Sequence, residues 1–173
     1  MKIPERIETQ RLVIVPIELK YAPDIFREFT PEVTKYMSPP PPKVIEETEE
    51  FINSCIEKRL AGVDFTAVIL EKGTEEFIGL CGLHQLDTKT PEFGIWLKTS
   101  AQGNKYGQEA ILGLKKWADE NIDYEYISYP VAVENIASRK IPELLGGVVD
   151  HEYTDHNGLG EEQRLVEYRI YRK

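Results

Sequence analysis

Cysteine is scarce: Cys55 and Cys81 are the only two in a chain of 173 residues. A disulfide scaffold needs more of them in a shorter chain, so a reducing compartment, the cytoplasm, is the expected setting. Positive charge is in deficit as well. The chain sets 21 Lys+Arg against 30 Asp+Glu, a formal net charge of -9, which argues against a partner read through its phosphate backbone, DNA or RNA. No apolar run approaches the roughly 18 residues of a membrane span. The opening Met1-Lys2-Ile3-Pro4-Glu5-Arg6 leads into alternating polar and apolar residues rather than an apolar signal core. A soluble protein without a membrane partner is expected. The histidines His84, His151 and His156 lack a cysteine or carboxylate constellation at ligand spacing, so no metal site is expected. Internal repeats are absent.

What is present is enough apolar residue, 41%, for one sizeable core, and residues 1–173 read as a single domain. Residues 11–17 are short and β-branched, a first strand that Pro16 confines to an edge or an end. Residues 21–29 read as a short helix. A second helix begins after Thr30, with Pro31 at its first position. Pro39 to Pro42 form a stiff extended connector. From Val44 to Leu60 a helix is expected to bury Val44, Phe51, Ile52, Cys55, Ile56 and Leu60. Three strands at hairpin spacing follow, at 65–70, 77–86 and 92–97. A helix at 106–121 has Ala110, Ile111, Leu114, Trp117 and Ala118 on its inner face. Then come a strand at 126–133, a helix at 135–145 ended by Gly146-Gly147, and strands at 148–153 and 165–171 around a polar loop. The fold class is α/β, a mixed but mostly antiparallel sheet flanked by helices and interrupted by one strand-loop-helix crossover.

That crossover carries the chemistry. Strand Phe93-Gly94-Ile95-Trp96-Leu97 is followed by Gln102-Gly103-Asn104-Lys105-Tyr106-Gly107-Gln108-Glu109-Ala110, the last of which open a helix. Glycines let the backbone turn tightly and approach a ligand, and free N–H groups at a helix start attract a phosphate. A diphosphate suits such a place. No Gly-Lys-Ser/Thr follows and no three-glycine fingerprint is present, so neither a Walker loop nor a dinucleotide fold is indicated. On these residues alone, an anion cradle and a plain strand-to-helix turn both remain open.

Several segments taken in order resolve the choice by resemblance. Glu92-Phe93-Gly94-Ile95-Trp96-Leu97, the 102–110 segment, Asn135-Ile136-Ala137-Ser138-Arg139 and Leu145-Gly146 resemble successive signatures of the GCN5-related N-acetyltransferase (GNAT) superfamily. Glu8-Thr9-Gln10-Arg11-Leu12 and Ile78-Gly79-Leu80-Cys81-Gly82-Leu83-His84 are similar to its ribosomal-protein N-terminal acetyltransferase (RimJ/RimL-like) branch. The resemblance implies a single GNAT-like domain whose sheet splays after the strand at 95–97. It implies that Gln102, Gly103, Asn104, Lys105, Tyr106, Gly107 and Gln108 bind the pyrophosphate of acetyl-CoA, that Ile95, Trp96 and Leu97 pair with the pantetheine arm, and that Asn135 and Ser138 touch it. Two positions depart from the family pattern: Lys105 stands at its first loop glycine, and Gly147 replaces the usual Phe.

The implied reaction moves an acetyl group from acetyl-CoA to a primary amine, a protein N-terminus or a small amine, by direct attack through a tetrahedral intermediate. An α-amino group titrates near ~8 and a lysine near ~10.4, so a proton must be removed before attack. Glu92 is the candidate base, against the ordinary reading of a surface Glu at a strand start. Ser138 is the candidate donor to the departing thiolate, against a plain third position in a helix capped by Asn135. His84 reads either as an acceptor contact or base, or as a satisfied strand histidine. A catalytically silent acetyl-CoA-binding module is the alternative function, and monomer and homodimer are both open. Acceptor specificity is expected in segments 21–61 and 154–163, since loops over a fixed scaffold usually carry it.

Overall fold

The computed structural model describes residues 3–172. Among them, one eight-stranded sheet runs in the order β1-β2-β3-β4-β5-β6-β8-β7. Its first five strands are β1 (Ile7–Glu8), β2 (Leu12–Pro16), β3 (Phe65–Glu71), β4 (Phe77–His84) and β5 (Glu92–Leu97), a continuous antiparallel meander. The remaining strands, β6 (Tyr126–Ala132), β7 (Val148–His156) and β8 (Glu162–Tyr171), form a second antiparallel unit. The helices are α1 (Ala22–Glu28), α2 (Pro31–Thr34), α3 (Ile45–Leu60), α4 (Tyr106–Asn121) and α5 (Ile136–Leu144). The expected α/β architecture with a mostly antiparallel sheet is what the structure has.

The alternation of the strands divides the core in two. Phe93, Ile95 and Leu97 of β5 belong to or pack against a cluster with Ala110, Ile111, Leu114 and Ala118 of α4 and Ile141 of α5. Trp96 turns to the other face, beside Ile25 of α1, Ile52 and Cys55 of α3, and Leu80 of β4. Helix α4 occupies the expected residues because an unbroken 3.6-residue apolar stripe meets the sheet. Helix α3 has the expected span but a narrower buried face. Val44, Phe51 and Leu60 are 50%, 44% and 79% exposed, while the expected Ile52 and Cys55 are buried with Thr48 beside them. The helix buries one stripe, and those three residues fall outside it.

Other differences are local. The short β1 was not expected, since two residues carry no readable period. Pro16 does stand at a strand end. Helix α2 is a single turn, and Tyr36 and Met37 lie beyond it. The polar segment at 154–163 is mostly hairpin strand: Thr154 pairs with Arg164 and His156 with Glu162, leaving a tip at 157–161.

The two sheet halves meet at a single rung. β5 runs parallel to β6 with one register pair, Glu92 with Ser128. The Ser128 N–H donates to Pro91 O at 2.8 Å, so it faces β5. Two residues on, the next donor on that side would belong to Pro130, which has no N–H. The ladder stops there, and the strands diverge.

Candidate functional site

The divergence makes a cleft. On its β4 side, β5 is fully paired from Gly79–Leu97 to His84–Glu92. On its β6 side, Ile95, Trp96 and Leu97 have no strand partner, and the Leu97 carbonyl accepts from Gln102 Nε2 at 3.2 Å. An extended amide-bearing chain is the natural complement of such an edge.

The cleft ends at the α4 start. Gly103 has φ +84 with open space where a Cβ would stand, and Lys105 caps α4 in the left-handed region at φ 62, ψ 19. The conformation that favours glycine is therefore kept by a lysine at the departing position. No side chain caps α4, and its first intrahelical bond from the loop is Glu109 N to Lys105 O at 3.1 Å. The N–H groups of Tyr106, Gly107 and Gln108 thus form an anion-attracting helix start. Gly107 has no positive φ; a Cβ there would lie 3.3 Å from Ile95 Cδ1 and 3.4 Å from Ile141 Cδ1. It lets the helix start settle onto β5 and α5.

The loop is braced from behind. Asn104 Nδ2 donates to the Ala101 and Gln102 carbonyls at 3.1 and 3.3 Å, shaping the turn from within. Arg11 of the neighbouring β-hairpin donates through NH2 to Asn104 O at 3.0 Å and through Nε to Glu109 Oε1 at 2.7 Å. Its guanidinium lies 4.4 Å from the Tyr106 ring centroid, and the Tyr106 hydroxyl donates to Glu71 at 3.3 Å. Glu109 also accepts from Arg11 N at 2.8 Å and Thr9 Oγ1 at 2.5 Å. Burial pushes the Glu109 carboxyl up, but the Thr9 and Arg11 hydrogen bonds outweigh it and hold it below its ordinary value. Tyr106 is consequently a brace of the loop.

Across the cleft, Asn135 caps α5 by accepting from Ser138 N at 3.3 Å. Ser138 Oγ meets the Tyr129 hydroxyl at 2.7 Å. Burial pushes Tyr129 up to about 12, only partly offset by its bond to Ser138, so the phenol stays protonated at neutral pH. Ser138 is the third helical residue, and its hydroxyl is linked to a buried acid. Gly147 leaves no room for the family's Phe at this chain position, since a Cβ would fall 2.8 Å from the Pro142 carbonyl.

Glu92 and Trp96 lie on the opposite face of β5 from Ile95 and Leu97. The Trp96 ring packs 5.0 Å from Phe29 and 6.0 Å from Phe77 by centroid, so only its backbone lines the cleft edge. Glu92 is half-buried at the closed end of the cleft and accepts from Ser128 Oγ at 3.4 Å. Burial raises its carboxyl above the ordinary value, and His84 and Ser128 pull the other way. His84 Nδ1 lies 3.2 Å from Asp64 Oδ2.

The two segments expected to set specificity touch. Gly158 N, at the β7–β8 tip, donates to Met37 O at 2.6 Å, and Asn157 Nδ2 to Lys35 O at 2.8 Å. Together they bound a 340 Å³ cleft with Tyr36, Val133, Glu134 and Arg164 on its walls. Elsewhere Asp150, His151 and Glu167 bring ligand atoms within 4.8 Å of one another, which spacing in the sequence does not reveal. Arg169 already bridges the two carboxylates, at 3.1 and 3.0 Å. Sequence reasoning missed the Arg11 brace, the Tyr129–Ser138 bond and the Asp64–His84 pair, each of which joins distant parts of the chain.

A free strand edge beside an uncapped helix start can hold an extended amide-bearing chain that ends in a diphosphate. Residues 11–148 match the family model described as acetyltransferase (GNAT) domain. The chain belongs to that family and is an acetyltransferase. It is 29% identical over 141 residues to the N-acetyltransferase p20 of Bacillus licheniformis, covering 79% of each chain. Its fold is similar to that of RimL, a ribosomal L7/L12 alpha-N-protein acetyltransferase solved with coenzyme A, at TM-score 0.87 and 16% identity over 96% of this chain and 98% of that one. A Salmonella typhimurium acetyltransferase that modifies the N-terminal serine of ribosomal protein L7/L12 aligns at TM-score 0.81 and 16% identity, over 98% of this chain and 100% of the other. Among the described residues no helix is long and apolar enough to cross a membrane.

Proposed function

We propose that this chain transfers the acetyl group of acetyl-CoA to a primary amine by direct attack, through a tetrahedral intermediate and without a covalent enzyme intermediate. The observation that carries the reading is the single-rung junction of β5 and β6, which leaves the Ile95–Leu97 edge free beside the α4 start. Acetyl-CoA would supply the activated thioester. The N–H groups at the start of α4, with Gly103, Asn104, Lys105 and Gln108 around them, hold its diphosphate, and the edge of Ile95, Trp96 and Leu97 holds its amide-bearing arm. A backbone N–H near Leu97 steadies negative charge on the carbonyl oxygen. Glu92 takes a proton from the acceptor ammonium, directly or through a water, and its raised affinity for protons suits that task. Ser138, with Tyr129 behind it, donates to the departing sulfur, and Asn135 fixes the turn that presents Ser138.

The RimL-like fold favours a protein N-terminus as acceptor, with small amines as the second class, acting in the cytoplasm as a monomer or homodimer. The joined 34–39 and 157–161 segments, which overhang the 340 Å³ cleft, are where acceptors would be told apart. Acetyl-CoA turnover against N-terminal peptides and small amines tests the reading, alongside calorimetry with CoA. CoA binding without turnover on any amine would favour the silent module. Absence of CoA binding would remove the reading altogether.

A further inference from the structure

We propose that His84, held by Asp64, is the outlet for the proton that Glu92 takes from the acceptor, so that Glu92 and His84 act as one relay; this rests on the function proposed above. His84 and Glu92 are register partners on adjacent antiparallel strands, on the same face of the sheet. Side chains at such positions have Cβ atoms about 5 Å apart. The Asp64 carboxylate is itself fixed, with Oδ1 accepting from Gln85 N at 2.9 Å and Oδ2 lying 3.2 Å from His84 Nδ1. In the neutral ring this arrangement places the hydrogen on Nδ1 and the lone pair on Nε2.

Two glycines make room for the ring. A Cβ on Gly82 would lie 3.1 Å from His84 Cε1, and one on Gly94 would lie 2.8 Å from Nε2. The imidazole therefore reaches from β4 across to β5, and Nε2 stands over the strand that carries Glu92. Among the described residues, Nε2 has no hydrogen-bond partner. The His84 side chain is 31% exposed, whereas Glu92 is held where burial resists its charge. A base in that position needs a route by which its proton returns to water. The groups facing the pair are Asp64 before β3, Ser128 of β6, Glu167 of β8 and Tyr153 of β7.

The step balances without electrons changing hands. An N–H bond of the ammonium breaks as an O–H bond forms on Glu92. That O–H bond then breaks as a bridging water takes the proton and gives one of its own to Nε2, the imidazolium leans on Asp64, and bulk water takes the proton from the ring. His84 thus acts through Glu92 and not on the substrate.

The test is kinetic and uses the whole chain. His84→Ala empties the space over Gly82 and Gly94, and kcat with the best amine should fall about tenfold or more while the amine KM and the CoA dissociation constant stay within about twofold. Added imidazole should restore kcat in a concentration-dependent way, which a merely structural histidine would not allow. Asp64→Asn should lower kcat less than His84→Ala, and His84→Gln covers the case in which the alanine variant melts early. Wild-type kcat in either His84 variant, or a folded His84→Ala whose loss imidazole does not restore, would overturn the relay. A wild-type chain that binds CoA and acetylates no amine would instead overturn the functional reading, and the relay with it.

Discussion

The hydroxyls of Tyr129 and Ser138 meet at 2.7 Å, one from the middle of β6 and the other from the first turn of α5. Tyr129 is buried and protonated at neutral pH, so in the proposed reaction it would keep the pair supplied with a hydrogen as Ser138 gave its own to the thiolate. Ser138→Ala should lower kcat about a hundredfold with little change in the acetyl-CoA KM. Tyr129→Phe should cost less in kcat, about tenfold, because the Ser138 hydroxyl remains. Steady-state kinetics on both variants checks this, and equal loss of KM and kcat in both would point to a packing defect instead.

Glu92 carries a charge that burial resists. Its folded-state proton affinity lies above the unfolded one, chiefly through burial, so the native state holds more protons between the two values. Stability from this group is full below the ordinary glutamate value of ~4.3 and is lost as pH rises through the raised folded value. Glu92→Gln removes that penalty. The variant should lose about a hundredfold or more in kcat, yet melt above wild type at pH 8, with the gap closing as pH falls. A gap that widened toward acid would mean that Glu92 is stabilised as a carboxylate.

Much of this was legible in the sequence, for reasons that also explain what was not. Helix α4 and the β3–β5 meander rest on local periodicity, and the loop at 102–108 on local turn chemistry, so their boundaries could be read to within two residues, the strand expected to reach Leu86 ending at His84. The opening of the sheet depends on Pro130, which reads as a mere strand irregularity until Ser128 shows which side faces β5. Phe51 and Leu60 fit the α3 stripe by spacing alone, but only the packed sheet decides how wide that stripe is. Arg11 and Glu109 lie 98 positions apart, and no local signal pairs them. The candidate Glu92 and Ser138 were visible as residue types in a pattern; their partners His84, Ser128 and Tyr129 required the fold.

Lys105 and Gly107 separate backbone from side chain in the loop proposed to hold the diphosphate. Lys105 is exposed and held at φ 62, so Lys105→Gly should stabilise the fold by about 1 kcal/mol. Lys105→Ala should weaken acetyl-CoA binding severalfold at most, because solvent screens its charge. Gly107→Val should do much more harm, and it should also lower the melting temperature. Its added carbons would meet Ile95, Leu97 and Ile141 and push α4 off the strand edge. Calorimetry with acetyl-CoA and thermal melts on the three variants decide the matter. A larger binding loss for Lys105→Ala than for Gly107→Val would mean that the ammonium holds the diphosphate.

Arg11 should matter to binding without touching the ligand. Its NH2 group holds the Asn104 carbonyl, its Nε holds Glu109, and its plane covers Tyr106, so three points of the loop and helix start depend on one guanidinium. A lysine cannot make that fork, and Arg11→Lys should fail nearly as badly as Arg11→Met. In Arg11→Met the Glu109 carboxylate also loses its counter-charge in the first turn of α4, where an incoming diphosphate would feel its repulsion. The acetyl-CoA dissociation constant should rise about tenfold in both variants, in line with the cost of a charge-assisted hydrogen bond. At saturating acetyl-CoA, kcat should stay near wild type, because the β5 edge and Glu92 are untouched. Adding Glu109→Gln to Arg11→Met removes the repelling charge and should recover part of the affinity, making the pair non-additive. Calorimetry on the two single variants and the double variant gives the coupling directly. Simple additivity would mean that Arg11 and Glu109 influence the loop independently, and the brace would then have no role in holding the cofactor.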